Sequence, residues 1–166
     1  MTWPLQSEMD QFYGNPRNRV NPSVVNPMWL VDNMGWVQPR FVLYYDDHPV
    51  KRFQAHKKVV ESLSTVFEDI WDRSKASPQV ILEWGADQFG GCYNYRLKRQ
   101  GATLSCHAYG AAIDLDPARN GMGNKKPHFT PDHPVVLAFK AQGWVWGGDW
   151  SGKGVDAMHF QAARVR

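Results

Sequence analysis

Cysteine is scarce in this sequence: Cys92 and Cys106 are the only 2, and they do not form a C-x-x-C pair. That excludes a disulfide framework and a cysteine-rich zinc knuckle, while a single Cys92 to Cys106 bridge stays open. Charge of one sign is also lacking. With 19 Lys and Arg against 16 Asp and Glu, the net charge is only +3, which does not demand nucleic acid as a partner, although an anionic polymer is compatible. No apolar run is long enough to cross a bilayer, so stable membrane insertion is not expected. The first residues, Met1 to Glu8, carry neither a basic stretch nor an apolar core of about 7 to 15 residues. A secretory signal is therefore not expected, and synthesis is expected to end in the cytoplasm. There is no internal repeat and no low-complexity tract.

What is present suits a soluble globular chain. Of 166 residues, 43% are hydrophobic and 13% aromatic, with 8 Trp; that is too apolar for disorder, and a chain of about 100 to 200 residues fits one domain. Within the single domain 1–166, residues 1–39 read as an irregular arm: Asn15-Pro16, Asn21-Pro22 and Asn26-Pro27 each push the backbone out of the helical region. Trp3, Phe12, Tyr13, Trp29, Leu30 and Trp36 make the arm too apolar for a solvated tail, so it is expected to pack on the domain.

Residues 40–45 read as a strand. Val59, Val60, Leu63, Val66, Phe67, Ile70 and Trp71 recur at helical steps, predicting a helix over about 52–73. Strands are expected at Gln79 to Trp84, at Ala111 to Asp116 and over roughly 157–162, with a short helix over about 134–142 between Pro134 and Gly143. In the strand from Ala111, side-chain alternation turns Ala112, Asp114 and Asp116 to one face. The expected class is α+β: a small, mostly antiparallel sheet packed by a long helix, with the metal-site core in 79–162.

Of the 6 histidines, His107 stands out. In Ser105-Cys106-His107-Ala108-Tyr109-Gly110 an imidazole precedes a glycine turn, and the strand that follows carries Asp114. By itself the pair reads as a structural hydrogen bond before it reads as a zinc site, because a catalytic zinc needs a third protein ligand. Asp156-Ala157-Met158-His159 supplies a further His on an apolar strand. A strand would turn Asp156 and His159 to opposite faces, so Asp156 must sit in the loop before it to reach the same site. One residue would then hold the metal and the other would take a proton from its water.

These residues resemble the zinc D,D-carboxypeptidases and L-alanyl-D-glutamate endopeptidases of peptidoglycan, including single-domain phage endolysins. The resemblance rests on S-x-H-x6-D at 105–114 and D-x-x-H at 156–159, with support from Gly91-Cys92-Tyr93-Asn94-Tyr95-Arg96 and from Gly143-Trp144-Val145-Trp146-Gly147-Gly148-Asp149-Trp150. It implies a Zn2+ held by His107, Asp114 and His159, with Asp156 as general base and then acid. Arg96 matches the family arginine on the substrate carbonyl or oxyanion and Ser105 a polar residue beside the site; Trp146 is expected, separately, to contact substrate. Zinc lowers the pKa of its water from about 15.7 to about 7, which explains how such a family hydrolyses amides at neutral pH. The implied partner is a peptidoglycan stem peptide, cut by a monomer that acts on the cell wall after release.

Plainer roles stand beside these. Cys106 reads as a small buried thiol, Asp116 as a support or cap rather than a rival ligand, and Lys98 and Arg99 as a solvated basic edge that competes with Arg96. Trp144, Trp146 and Trp150 are core or cleft-wall residues. His128 and His133 are expected to cap the helix after Pro134. A non-catalytic wall-binding protein of the same fold is the competing class, and Asp156 argues against it, since a binder needs no base.

Overall fold

The computed structural model describes residues 2–99 and 101–166; Met1, the first residue of the expected arm, and Gln100 lie outside the described residues. In chain order the elements are α1 (Met9–Tyr13), α2 (Pro27–Asn33), β1 (Met34–Val37), β2 (Leu43–Tyr45), β3 (His48–Val50), β4 (Phe53–His56), α3 (Lys57–Arg73), α4 (Pro78–Trp84), β5 (Phe89–Gly91), β6 (Ala112–Leu115), α5 (Pro117–Asn120), α6 (Pro134–Ala141), β7 (Val145–Trp146) and β8 (His159–Gln161). The fold is α+β. Its main sheet is antiparallel in the order β5-β6-β8-β7, and two further antiparallel pairs, β1 with β4 and β2 with β3, lie outside it.

The long helix forms for the reason its spacing gives. Val59, Leu63, Val66, Phe67 and Ile70 share a buried stripe, and burying each such side chain stabilises the fold by about 1.5–3 kcal/mol. It begins later than the periodicity suggests. Phe53 to His56 pair with β1 instead, and the His56 ring closes the helix start by accepting from the Lys58 amide at 3.1 Å. The stripe packs on α6 and on the β1–β4 pair.

Residues 79–84 differ in kind from the expected strand, because they belong to helix α4. The punctuation outweighs the β-branched content: Ser77 accepts from the Val80 amide at 3.2 Å, Pro78 opens the first turn, and Gly85 ends it at φ +69°. The arm is also more regular than expected. Asn26 keeps extended backbone before Pro27, yet that same pair is a helix start, with Asn26 accepting from the Met28 amide at 3.0 Å. The strand expected at 40–45 shrinks to β2, and Asp116 leaves β6 at φ +49°.

The arm is part of the core, as its aromatic content requires. Trp3, Met9, Tyr13 and Trp29 are buried in the cluster that also contains Ile113, Leu115, Phe139 and Phe160. Polar tips fix its register: the Tyr13 hydroxyl donates to the Ala162 carbonyl at 2.7 Å, and the Trp3 indole to Gln142 O at 3.1 Å.

Candidate metal centre

Local sequence sets each of the three expected ligands. His107 sits on a tight 3-10 turn, Cys106–Tyr109, where the Ser105 hydroxyl accepts from the His107 amide at 3.3 Å. Gly110 ends that turn at φ +65°, and a Cβ there would stand 2.8 Å from the His56 amide nitrogen, so a side chain is excluded by both conformation and space. Asp114 and His159 are register partners on β6 and β8. Ile113 and Leu115, turned to the other face of β6, are fully buried, and this alternation aims Asp114 at the site.

Three atoms converge. His107 Nε2 lies 3.2 Å from His159 Nδ1 and 3.3 Å from Asp114 Oδ1, and His159 Nδ1 lies 2.9 Å from that same oxygen. The far side of each ring fixes its tautomer. His107 Nδ1 faces the Cys92 carbonyl at 2.7 Å, which only accepts, so Nδ1 carries the hydrogen and Nε2 is bare. His159 Nε2 faces Gln161 Oε1 at 3.1 Å, and the Gln161 amide is itself oriented by donating to Ala163 O at 2.7 Å. Nδ1 of His159 is therefore bare as well.

Two lone pairs and a carboxylate oxygen pointed at one another repel unless a cation lies among them. Tetrahedral ligands at about 2.0–2.1 Å from a zinc ion stand about 3.3 Å apart, close to the observed separations. The donor set, two imidazoles and a carboxylate, is also one that zinc accepts. His107, Asp114 and His159 thus form a buried group able to bind a metal, as the sequence implies.

Beside the trio lies a cleft of about 360 Å³ lined in part by Arg96, Lys98, Arg99, Ser105, Trp150 and Asp156. Asp156 occupies the loop before β8, as required for it to reach the site; its amide donates to Gly147 O at 3.0 Å, and a Cβ on Gly147 would collide with the Asp156 carbonyl. Its Oδ1 is buried and finds no hydrogen-bond partner among the described residues. Burial pushes the Asp156 carboxyl up, the Asp114 charge adds to this, and His159 and Arg99 partly offset it. Arg96 is set opposite Ser105, whose amide donates to the Arg96 carbonyl at 3.0 Å.

Other expected residues lie elsewhere. Trp146 is not at the cleft: it is buried in the core with its indole donating to Ala157 O at 2.8 Å. Trp150 is the tryptophan that lines the cleft, its ring centre 5.5 Å from that of His159. Asp116 turns away to accept from Arg119 Nε at 2.6 Å. His133 caps α6 by accepting from the Val135 amide at 3.2 Å, whereas His128 packs beside it without capping. Cys92 and Cys106 are both free thiols, so the bridge left open by the sequence is absent; burial pushes the Cys106 thiol up to about 12 and keeps it an S–H donor.

Gln161 and Gln6, which touch the site, went unassigned in the sequence. Gln161 had a usable signal, lying two residues beyond His159 on the same strand face. Gln6 had none. It reaches the cleft from the arm and accepts from Lys98 Nζ at 2.6 Å, a contact no local pattern encodes.

Residues 98–162 match the family described as D-alanyl-D-alanine carboxypeptidase, a zinc-dependent peptidase family. The matched segment contains His107, Asp114, Asp156 and His159, and Arg96 lies just before it. No curated protein and no solved structure matches the chain.

Proposed function

We propose that the protein is a zinc-dependent peptidoglycan peptidase that hydrolyses the stem-peptide bond between L-Ala and D-Glu, in the manner of a phage-type endolysin. The observation that carries the reading is the convergence of three bare ligand atoms beside a buried carboxylate with an unpartnered oxygen. A zinc held by His107, Asp114 and His159 would supply a water acidic enough to attack at neutral pH and would polarise the scissile carbonyl.

The chain's own residues do the rest. Asp156, with Oδ1 uncommitted, takes the proton of the attacking water and returns it to the departing amine. Arg96 donates hydrogen bonds to the carbonyl oxygen as negative charge develops there, and Lys98 and Arg99 keep the cleft cationic. Ser105 holds His107 in place through its cap and meets substrate where it lines the cleft. Three cations suit a substrate that carries a free carboxylate near the bond, as D-Glu does, and Gln6 extends the lining beyond the metal-site core.

Release of terminal D-Ala is the second reading. It is favoured by the description of the matched family and by the same cations, which suit a terminal carboxylate equally well. Digestion of purified peptidoglycan followed by mass spectrometry separates the two. New N-terminal D-Glu, with L-Ala left on the muramyl lactyl group, supports the endopeptidase; free D-Ala as the sole new product overturns it in favour of the carboxypeptidase. No product at all, from protein shown to hold zinc, would sink both and favour a wall-binding role.

A further inference from the structure

One buried polar side chain at the site has no part in the chemistry above. Gln161 is 1% exposed and lies on the central strand β8, paired with Ala112 on β6 and Val145 on β7, so its backbone is held from both sides. Its amide is fully engaged. Nε2 donates to the Ala163 carbonyl at 2.7 Å, while Oε1 faces His159 Nε2 at 3.1 Å and the Cys106 thiol at 3.4 Å. Because the Ala163 carbonyl can only accept, the amide cannot turn over without setting two oxygens against each other. Oε1 is thereby fixed as an acceptor, and the Cys106 S–H contributes a second donor to it.

We propose that Gln161 is the positioning residue that selects which nitrogen of His159 faces the metal. An imidazole on a short strand can present either nitrogen after a ring flip, and only the partner on its far side distinguishes the two. Gln161 Oε1 accepts the Nε2 hydrogen, so Nδ1 is left to the metal, whereas His107 is held the opposite way round by the Cys92 carbonyl. The two rings thus meet through unlike atoms, Nε2 of His107 and Nδ1 of His159, at 3.2 Å. Partners of this kind on the far side of a metal-bound histidine typically contribute about 10- to 100-fold in metal affinity. Cys106 then has a role without reactivity: it helps hold the glutamine that holds the histidine. This inference rests on the zinc reading of the trio.

The test uses the whole chain and the metal alone. The protein labelled with 15N and loaded with 113Cd should show metal–nitrogen coupling to His107 Nε2 and His159 Nδ1; coupling to His159 Nε2 overturns the proposal with no variant needed. Gln161→Met removes the acceptor at similar length, and competition against a chelator should find zinc bound about 10- to 100-fold more weakly, with the coupling at His159 spread over both nitrogens. Gln161→Glu keeps an acceptor for His159 Nε2 but loses the donor to Ala163 O, and should recover part of the affinity. Equal weakening by the two variants, the mark of a purely steric role, overturns the proposal, as does wild-type affinity in Gln161→Met. If Gln161→Met does not fold, the wild-type coupling and Gln161→Glu still decide. A wild-type chain that takes up no metal overturns the zinc reading and this inference together, whereas a wild type that binds metal alongside an equally tight Gln161→Met overturns the inference alone.

Discussion

The metal trio and the cleft beside it are built on opposite plans. Both histidines of the trio are committed on their far sides, His107 to a backbone carbonyl and His159 to Gln161. Among the described residues, Asp156 Oδ1 and the Trp150 indole nitrogen in the cleft have no partner, and the Arg96 guanidinium makes only a 3.4 Å contact with its neighbour's carbonyl. The first plan holds geometry before anything binds. The second leaves donors and acceptors for a substrate to satisfy, and leaving buried polar groups unpaired costs stability, so such groups concentrate where function needs them.

The two regions should therefore fail differently. The largest effect is expected at the trio: alanine at His107, Asp114 or His159 should abolish stoichiometric zinc, read by elemental analysis, and peptidoglycan hydrolysis along with it. Full zinc occupancy in the His107 and His159 variants would break the ligand assignment. In the cleft, Asp156→Asn should retain zinc and fold while losing about 10²- to 10⁴-fold in turnover, the range for general acid–base groups. Near wild-type rates would place the base on another residue.

Next in size is Arg96→Ala, which should lower kcat by about 10²- to 10³-fold with zinc unchanged, as removal of one oxyanion donor typically does. Arg99→Ala is expected to fall short of that, and the reverse ranking would reassign the carbonyl contact to Arg99. Its charge is the one that already reaches Asp156.

The smallest effect is on stability and lies away from both regions. Burial lowers His56 from 6.5 to about 4, aided by the Lys57 and Lys58 charges and opposed by the hydrogen bond to Tyr13 O. In the folded chain its Nδ1 accepts from the Lys58 amide and its Nε2 hydrogen meets Tyr13 O, so neither nitrogen has room for a second proton. Between about pH 6.5 and pH 4 the unfolded chain binds a proton that the folded chain does not. Stability should therefore be full above that window and fall as pH drops through it, by up to about 3 kcal/mol at 1.36 kcal/mol per pKa unit. Denaturant midpoints at several pH values for wild type and His56→Gln check this, and an equal slope in both would remove His56 as the cause.

What the sequence disclosed follows the same division. The trio was legible through the family resemblance, whose S-x-H-x6-D spacing is tied to local geometry: the alternation along Ala112 to Leu115 and the turn at Gly110 act over a few residues. The helix at 134–141 was legible for the same reason, with Pro134 at its start and Gly143 at its end. At 78–84 the caps carried the answer, and β-branched composition misled because it reports packing rather than backbone preference. Trp146 and Trp150 could not be told apart, since the short 3-10 turn Gly147–Asp149 between them decides which ring reaches the cleft. Gln6 was out of reach, because it meets Lys98 only through the docking of the arm.

That docking bears on when the site comes into being. Leu5 bridges Arg164 and Tyr13 reaches Ala162, so the segment that directly follows the strand carrying His159 is held by residues from the opposite end of the chain. Contacts of such separation in sequence must wait for a large loop to close, which makes them late events in folding. Metal affinity should thus belong to the finished chain. A metal captured only by the native state adds its binding free energy to native stability, so chelation should lower the midpoint of unfolding and zinc concentration should raise it.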